Sequence, residues 1–144
     1  MQILVDADAC PVKDIIIRVA NEKNIEVVMF MDTSHDWRHE GVKVVTVDKS
    51  RDGVDIALIN ITKKDDIVVT QDYGVAALAL AKGAKAINQN GMVFTSDNMD
   101  KLLFERHLGK KVRRAGGRTK GIRKRTSQDN EKFERIFRQL LEQA

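Results

Sequence analysis

Residues 1–8, Met-Gln-Ile-Leu-Val-Asp-Ala-Asp, are an apolar run of strand length that ends in two carboxylates, and a helix is predicted almost at once, from Pro11. A strand that delivers charged side chains to its C-terminal end, just ahead of a helix, is how open α/β sheets assemble their sites. This arrangement sets the frame for the chain. Asp6 and Asp8 are its first candidate functional residues.

The pattern continues along the chain. Pro11 suits a first helical position, where its missing N–H costs nothing. Val12, Ile15, Ile16 and Val19 follow at helical spacing to about Lys23, and Asn24 closes the helix. Residues 26–31 form an apolar strand, 32–41 a polar loop, and the valine-rich 42–47 a third strand. A helix over 54–63 presents Val54, Ala57, Leu58 and Ile61, and the buried-type strand 67–70 follows it. Residues 75–81 are apolar on every side, which predicts a helix covered from several directions and closed by Gly83. Short strands at 84–87 and 92–95 flank the turn Asn88–Gly91, and another helix spans about 98–108. Asp129 caps a last helix whose stripe is Phe133, Ile136, Phe137, Leu140 and Leu141. This order predicts an α/β fold with a mainly parallel central sheet and helices on both faces. The division expected is an α/β domain over 1–108, a basic arm over 109–128 and a C-terminal amphipathic helix over 129–144 packing on the domain.

With 144 residues and 42% hydrophobic content, the chain suits one compact domain with a real core. It has no apolar stretch of about 18 residues and no basic-then-apolar leader pattern, so a cytoplasmic protein with no membrane partner is expected. Cys10 is the single cysteine, which excludes an internal disulfide and a cysteine-built zinc site. The net charge of +4 hides a division: nine Lys/Arg and no Asp/Glu lie between Lys110 and Arg125, leaving −5 for the rest. Lys111, Arg113, Arg114, Arg118, Lys120, Arg123, Lys124 and Arg125 are therefore candidate contacts to nucleic-acid phosphates, without sequence readout. The glycines among them read as a loop or arm able to follow a strand, or to fold over the acidic mouth of its own domain.

In a parallel sheet all strand C-termini share one edge, so Asp6, Asp8 and Asp72 lie on that edge and meet at one mouth if their strands are neighbours. Asp52 and Asp55 open the helix that leads into the strand before Asp72. Carboxylates crowded together must take up protons unless a cation is present, and hard oxygen donors suit Mg²⁺ or Mn²⁺. Such a site can activate water and neutralise a phosphodiester. Each acid also has a structural reading. Asp8 and Asp72 could favour helix N-termini, and Asp52 with Asp55 nearly matches a capping box.

Several motifs carry a family resemblance: Val5-Asp-Ala-Asp-Ala-Cys-Pro11, Asp52-Gly-Val-Asp55, Val69-Thr-Gln-Asp72, Lys82-Gly-Ala84, Asn90-Gly91 with Phe94-Thr95, Arg106, and Gly117-Arg-Thr-Lys-Gly121. On these the chain resembles the bacterial YaiI/YqxD family over nearly its whole length. That family is similar to PIN-like and NYN nuclease domains, so the resemblance implies a PIN-like three-layer fold and RNA cleavage with Mg²⁺ or Mn²⁺. It implies Asp6, Asp55 and Asp72 as the metal ligands, with Asp8 and Asp52 next, and Asp6, Asp8, Asp55 and Asp72 as the catalytic acids. Tyr73-Gly74 stands where many members have Ile-Pro, and no second acid closely follows Asp72 as in NYN domains.

Two other functions compete with a nuclease acting on RNA rather than DNA. One is a non-catalytic nucleic-acid-binding or regulatory module. The other is a haloacid-dehalogenase-like phosphatase, which Asp6-Ala-Asp8 resembles but which needs a lysine and a distal acidic pair. His35, His39 and His107 lack metal spacing, Cys10 reads as a packed residue, and Trp37 reads as a loop anchor or a base-stacking platform. The oligomeric state is left open.

Overall fold

The computed structural model describes residues 1–143 except 9, 35, 50–51, 115 and 117–123, and gives no side chain for 106 or 112–114. Within the described residues, strands β1 (Gln2–Asp6), β2 (Glu26–Asp32), β3 (Lys43–Val47), β4 (Ile67–Val69), β5 (Lys85–Ile87) and β6 (Val93–Phe94) form one sheet. Its order is β3-β2-β1-β4-β5-β6, parallel throughout except for the final β5–β6 pair. The helices are α1 (Lys13–Lys23), α2 (Gly53–Ile61), α3 (Tyr73–Ala81), α4 (Ser96–Arg114) and α5 (Ser127–Glu142).

The sheet is the middle of three layers because its strands alternate two apolar faces. Ile3 and Val5 of β1, with Val27, Met29 and Met31 of β2, pack beneath α1 and α5. Leu4, Val28, Phe30 and Val68 point the other way, under α2, α3 and α4. The period of two therefore sends Asp6 and Thr70 to the second face, beyond Leu4 and Val68. Phe133 and Phe137 of α5 are fully buried against the first face and stack at 5.2 Å. Arg18–Glu134 (2.6 Å), Arg138–Glu134 (3.0 Å) and Arg138–Glu22 (2.8 Å) line the α1–α5 seam.

From β1 the chain winds outward through β2 to β3, then returns through α2 to β4 and winds the other way. The order reverses between β1 and β4, whose registers pair Ile3 with Ile67 and Val5 with Val69. A reversal of this kind opens a crevice at the strand C-termini, and ligands bind there. The two strands beside it are those that end in Asp6 and lead into Asp72.

Several local expectations change. Helix α1 begins at Lys13 rather than Pro11, because Val12 keeps a non-helical backbone and serves as the N-cap. Helix α3 is not covered all round: Val75, Ala76 and Ala79 are buried, but Leu78 is 53% exposed. Helix α4 runs to Arg114 rather than Leu108, so the basic stretch opens as helix instead of loop. Its last turns collect Lys110, Lys111, Arg113 and Arg114, and cations at a helix C-terminus are favoured by the dipole. The N-cap of α5 is Thr126, whose N–H donates to Asp129 Oδ2 at 2.8 Å, so Asp129 completes a capping box from the third position. Among the described residues, no helix is long and apolar enough to cross a membrane.

Candidate functional site

At the crevice between β1 and β4, Asp6 and Asp72 meet a hydroxyl that sequence reasoning missed. Thr70, only 2% exposed, donates from Oγ1 to Asp6 Oδ2 at 3.1 Å and accepts the Asp72 N–H at 3.0 Å. It fixes the orientation of Asp6 and the path of the chain into α3. The sequence held one cue, a polar residue at the end of an otherwise apolar strand, two positions before Asp72.

Asp72 is the N-cap of α3. Its Oδ1 accepts from Gly74 N at 2.7 Å and Val75 N at 3.1 Å. Asp52 holds the N-cap position of α2, but its side chain makes no cap hydrogen bond there, and Asp55 lies in the first turn. The capping-box reading of Asp52 and Asp55 is therefore not realised in α2. Asp8 does not cap α1, because Val12 takes that position.

These acids share one field. Asp6 is pushed from its ordinary value of 3.8 up to about 6, chiefly by burial, with Asp55, Asp8 and Asp72 adding repulsion and the Thr70 hydroxyl opposing them. Asp55 is also raised, first by burial and then by Asp72 and Asp52. All five predicted acids thus interact, directly or through a neighbour.

They line two depressions. Asp52, Asp55 and Asp72 border a groove of about 460 Å³ between α2 and α3, with Ile56, Ile59, Asn60 and Leu78 along its floor and rim. Asp6 and Asp8 lie in a narrower pocket of about 30 Å³ with Cys10, Val69, Thr70, Gln71 and Gln89. Gln71 and Gln89 carry no acid or base chemistry, and their sequence positions gave no signal.

The donor set of carboxylates with a hydroxyl is chemically suited to a hard divalent cation. Among the described residues, no three His, Cys, Asp or Glu side chains form a ready cluster for an ion. The fit is to an ion such as Mg²⁺, which keeps several waters and takes one or two carboxylates, rather than to an all-protein cage.

A contrasting acid shows what a structural carboxylate looks like here. Asp66, 3% exposed and at the opposite end of β4, accepts from Gln2 N, Gln2 Nε2 and Lys63 N. Its oxygens are satisfied by local donors, and no other acid crowds them in these contacts.

Of the basic candidates, Lys111 and Lys124 are exposed. The Arg125 guanidinium is held by Asn130, Asn90 and the Gln89 carbonyl. The side chains of Arg106, Arg113 and Arg114, together with Arg118, Lys120, Arg123 and His35, lie outside the described residues. Trp37 packs against the core, stacks on His39 at 6.1 Å and carries Lys13 Nζ 5.9 Å from its ring centre, the contacts of a loop anchor.

The family model described as an uncharacterized YaiI/YqxD family matches residues 4–143. A UPF0178 protein of Ruminiclostridium cellulolyticum is 62% identical over 137 residues, covering 95% of this chain and 90% of the relative. Another, of Lachnoclostridium phytofermentans, is 54% identical over 144 residues, covering 98% and 97%. A crystal structure of a mutant Rae1 (YacP) from Bacillus subtilis spans 100% of both chains at 16% identity, with a TM-score of 0.41. Likeness that distant carries no argument about this chain.

Proposed function

The chain belongs to the uncharacterized YaiI/YqxD family, and from its own residues we propose a Mg²⁺- or Mn²⁺-dependent nuclease that hydrolyses phosphodiesters in RNA. The observation that carries the reading is Asp6. It lies half-buried at the switch point of the sheet, repelled by Asp55, Asp8 and Asp72, and held near 6. Keeping such a group ionised at neutral pH costs stability, and a bound cation offsets that cost.

Asp6, Asp55 and Asp72 would hold the ion, one or two directly and the rest through its waters, with Asp8 and Asp52 beside them. When bound, it supplies charge neutralisation at the phosphodiester and a more acidic water. The chain supplies the rest. Thr70 Oγ1 orients the Asp6 carboxylate through Oδ2, and Gly74 N and Val75 N lock the Asp72 carboxylate through Oδ1. Lys111 and Lys124, with the other cations of the 110–124 segment, would meet the backbone phosphates of a single strand.

The absence of a ready three-ligand cluster among the described residues favours a second reading, a nucleic-acid-binding module that retains an acidic pocket. Incubating purified protein with mixed single-stranded RNA, with and without Mn²⁺, separates the two. Mn²⁺-dependent cleavage that disappears in Asp6→Asn supports the nuclease. Binding without cleavage at any metal concentration leaves the module.

A further inference from the structure

Arg125 belongs by sequence to the basic segment, yet its guanidinium is committed elsewhere. Nε donates to Asn130 Oδ1, one terminal nitrogen to Asn90 Oδ1 and the other to the Gln89 carbonyl, each at 2.7 Å. These bonds join the start of α5 to the Asn88–Gly91 turn. The turn is built tightly from both sides: Asn88 Oδ1 accepts from Asn90 N and Met92 N, at 2.9 and 3.0 Å. Gly91, at φ +85, sits so close to α5 that a Cβ there would meet the Lys132 carbonyl oxygen at 3.1 Å. The residue that this turn presents to the Asp6/Asp8 pocket is Gln89.

At the mouth of a pocket with two carboxylates a phosphodiester needs a cation to offset the repulsion, and donors to its oxygens that add no competing charge. Among the described residues, Gln89 and Gln71 are the two amide-bearing residues that line it, and an amide donates without adding a charge that would compete for the acids. Gln71 is exposed, whereas Gln89 is half-buried on a braced turn. The charge of Arg125 also reaches the Cys10 thiol, which lines the same pocket.

We propose that Gln89 is a substrate-contacting residue of this pocket, and that Arg125 is a positioning residue which acts through it by bracing the Asn88–Gly91 turn from α5. The contact to substrate rests on the reading that RNA occupies this pocket; the brace does not. Arg125 is thereby distinguished from its basic neighbours, which meet the backbone as point charges.

The test uses the full chain, ¹⁵N-labelled, as wild type, Gln89→Ala, Arg125→Lys and Arg125→Ala. Lysine keeps the charge but cannot form the three-way fork. Arg125→Lys should shift the amide signals of 88–92 in the free protein. A short uridine oligonucleotide should move the Gln89 side-chain signals in wild type but not in Arg125→Lys. With Mn²⁺, Gln89→Ala and Arg125→Lys should each lower kcat on RNA by about tenfold, as for loss of one hydrogen bond to substrate, and the double variant should be no worse. The salt dependence of binding should not change in either.

If the 88–92 signals of Arg125→Lys superimpose on wild type, the brace is refuted. If the oligonucleotide binds without moving the Gln89 signals, the contact is refuted. If Arg125→Lys behaves as wild type while Arg125→Ala flattens the salt slope by about one, Arg125 is a phosphate contact and the proposal falls. Wild type that binds the oligonucleotide through Gln89 but cleaves nothing sinks the nuclease reading and leaves this one standing.

Discussion

Replacing Asp6 by asparagine should stabilise the metal-free protein at neutral pH and much less in acid. Asp6 rises from 3.8 to about 6 on folding, so its contribution is complete below pH 3.8 and is lost as pH rises through 6. The shift of about two units corresponds to about 3 kcal/mol of destabilisation by pH 8, and to about 1 kcal/mol at pH 4.5. Asparagine is nearly isosteric, its amide oxygen can still accept from Thr70 Oγ1, and it carries no charge to desolvate. Any pH-independent effect of the substitution cancels when the two conditions are compared. The gain should therefore be about 2 kcal/mol larger at pH 8 than at pH 4.5, which for a chain of this size is about 4–8 °C in Tm. Urea unfolding in EDTA, followed by circular dichroism across pH 4–8, measures it. Adding Mn²⁺ should then raise the stability of wild type and not of the variant. A stability difference that does not change with pH would refute the argument, because it would mean that Asp6 titrates alike in the folded and unfolded chain.

Asp72→Asn should hold folding stability within about 0.5 kcal/mol, since asparagine caps helices as well as aspartate, while Asp72→Ala should lose about 1 kcal/mol; Mn²⁺ affinity by calorimetry should fall in both, and unchanged affinity in Asp72→Asn would remove Asp72 from the ligand set. Thr70→Val should cost about 1–3 kcal/mol at pH 7, because it strips a donor from the half-buried Asp6 and an acceptor from the Asp72 N–H. The Thr70 hydroxyl lowers the Asp6 pKa, so the loss should shrink below pH 5, where Asp6 is protonated; chemical denaturation at both pH values checks it. Phe137→Ala should cost about 3–5 kcal/mol by opening a cavity beneath α5; a denaturation midpoint unmoved by that change would mean that α5 is not docked.

The sheet was legible in the sequence because its strands are short, apolar and separated by helical periodicity. What the pattern could not convey was pairing. Val28–Asp32 of β2 run parallel to Lys43–Val47 of β3 with no helix between them, and nothing in residues 33–42 distinguishes that from a hairpin. Nor did the pattern reveal that β4 returns to the side of β1, the step that creates the crevice. Helix α3 misled for a related reason. A segment apolar on every side has no moment to orient it, so only packing decides that Leu78 faces a groove. The start of α4 was found to within two residues, but its end was lost to the glycine and the cations that follow Leu108. Local composition there reads as loop, while the helix dipole rewards the same cations for remaining helical.

For the acids, sequence reasoning set capping against site formation as alternatives, and Asp72 shows that a cap can stand among other carboxylates. Its Oδ1 accepts both N–H groups of the α3 cap, while its charge reaches Asp55 and Asp6 across the crevice. A cap is a means of holding a carboxylate at a fixed angle at a strand end, so structural use of one oxygen orients the other. Asp52 separates the two roles from the opposite side: it occupies the N-cap position of α2, makes no cap bond, and still repels Asp55. Asp66 completes the comparison, since a buried acid met by three local donors has no cause to seek a cation. What distinguishes a site acid in this fold is therefore neither burial nor capping, but whether its neighbours are donors or other carboxylates. By that criterion Asp6 stands at the centre. The Thr70 hydroxyl donates to it, against the repulsion of three acids.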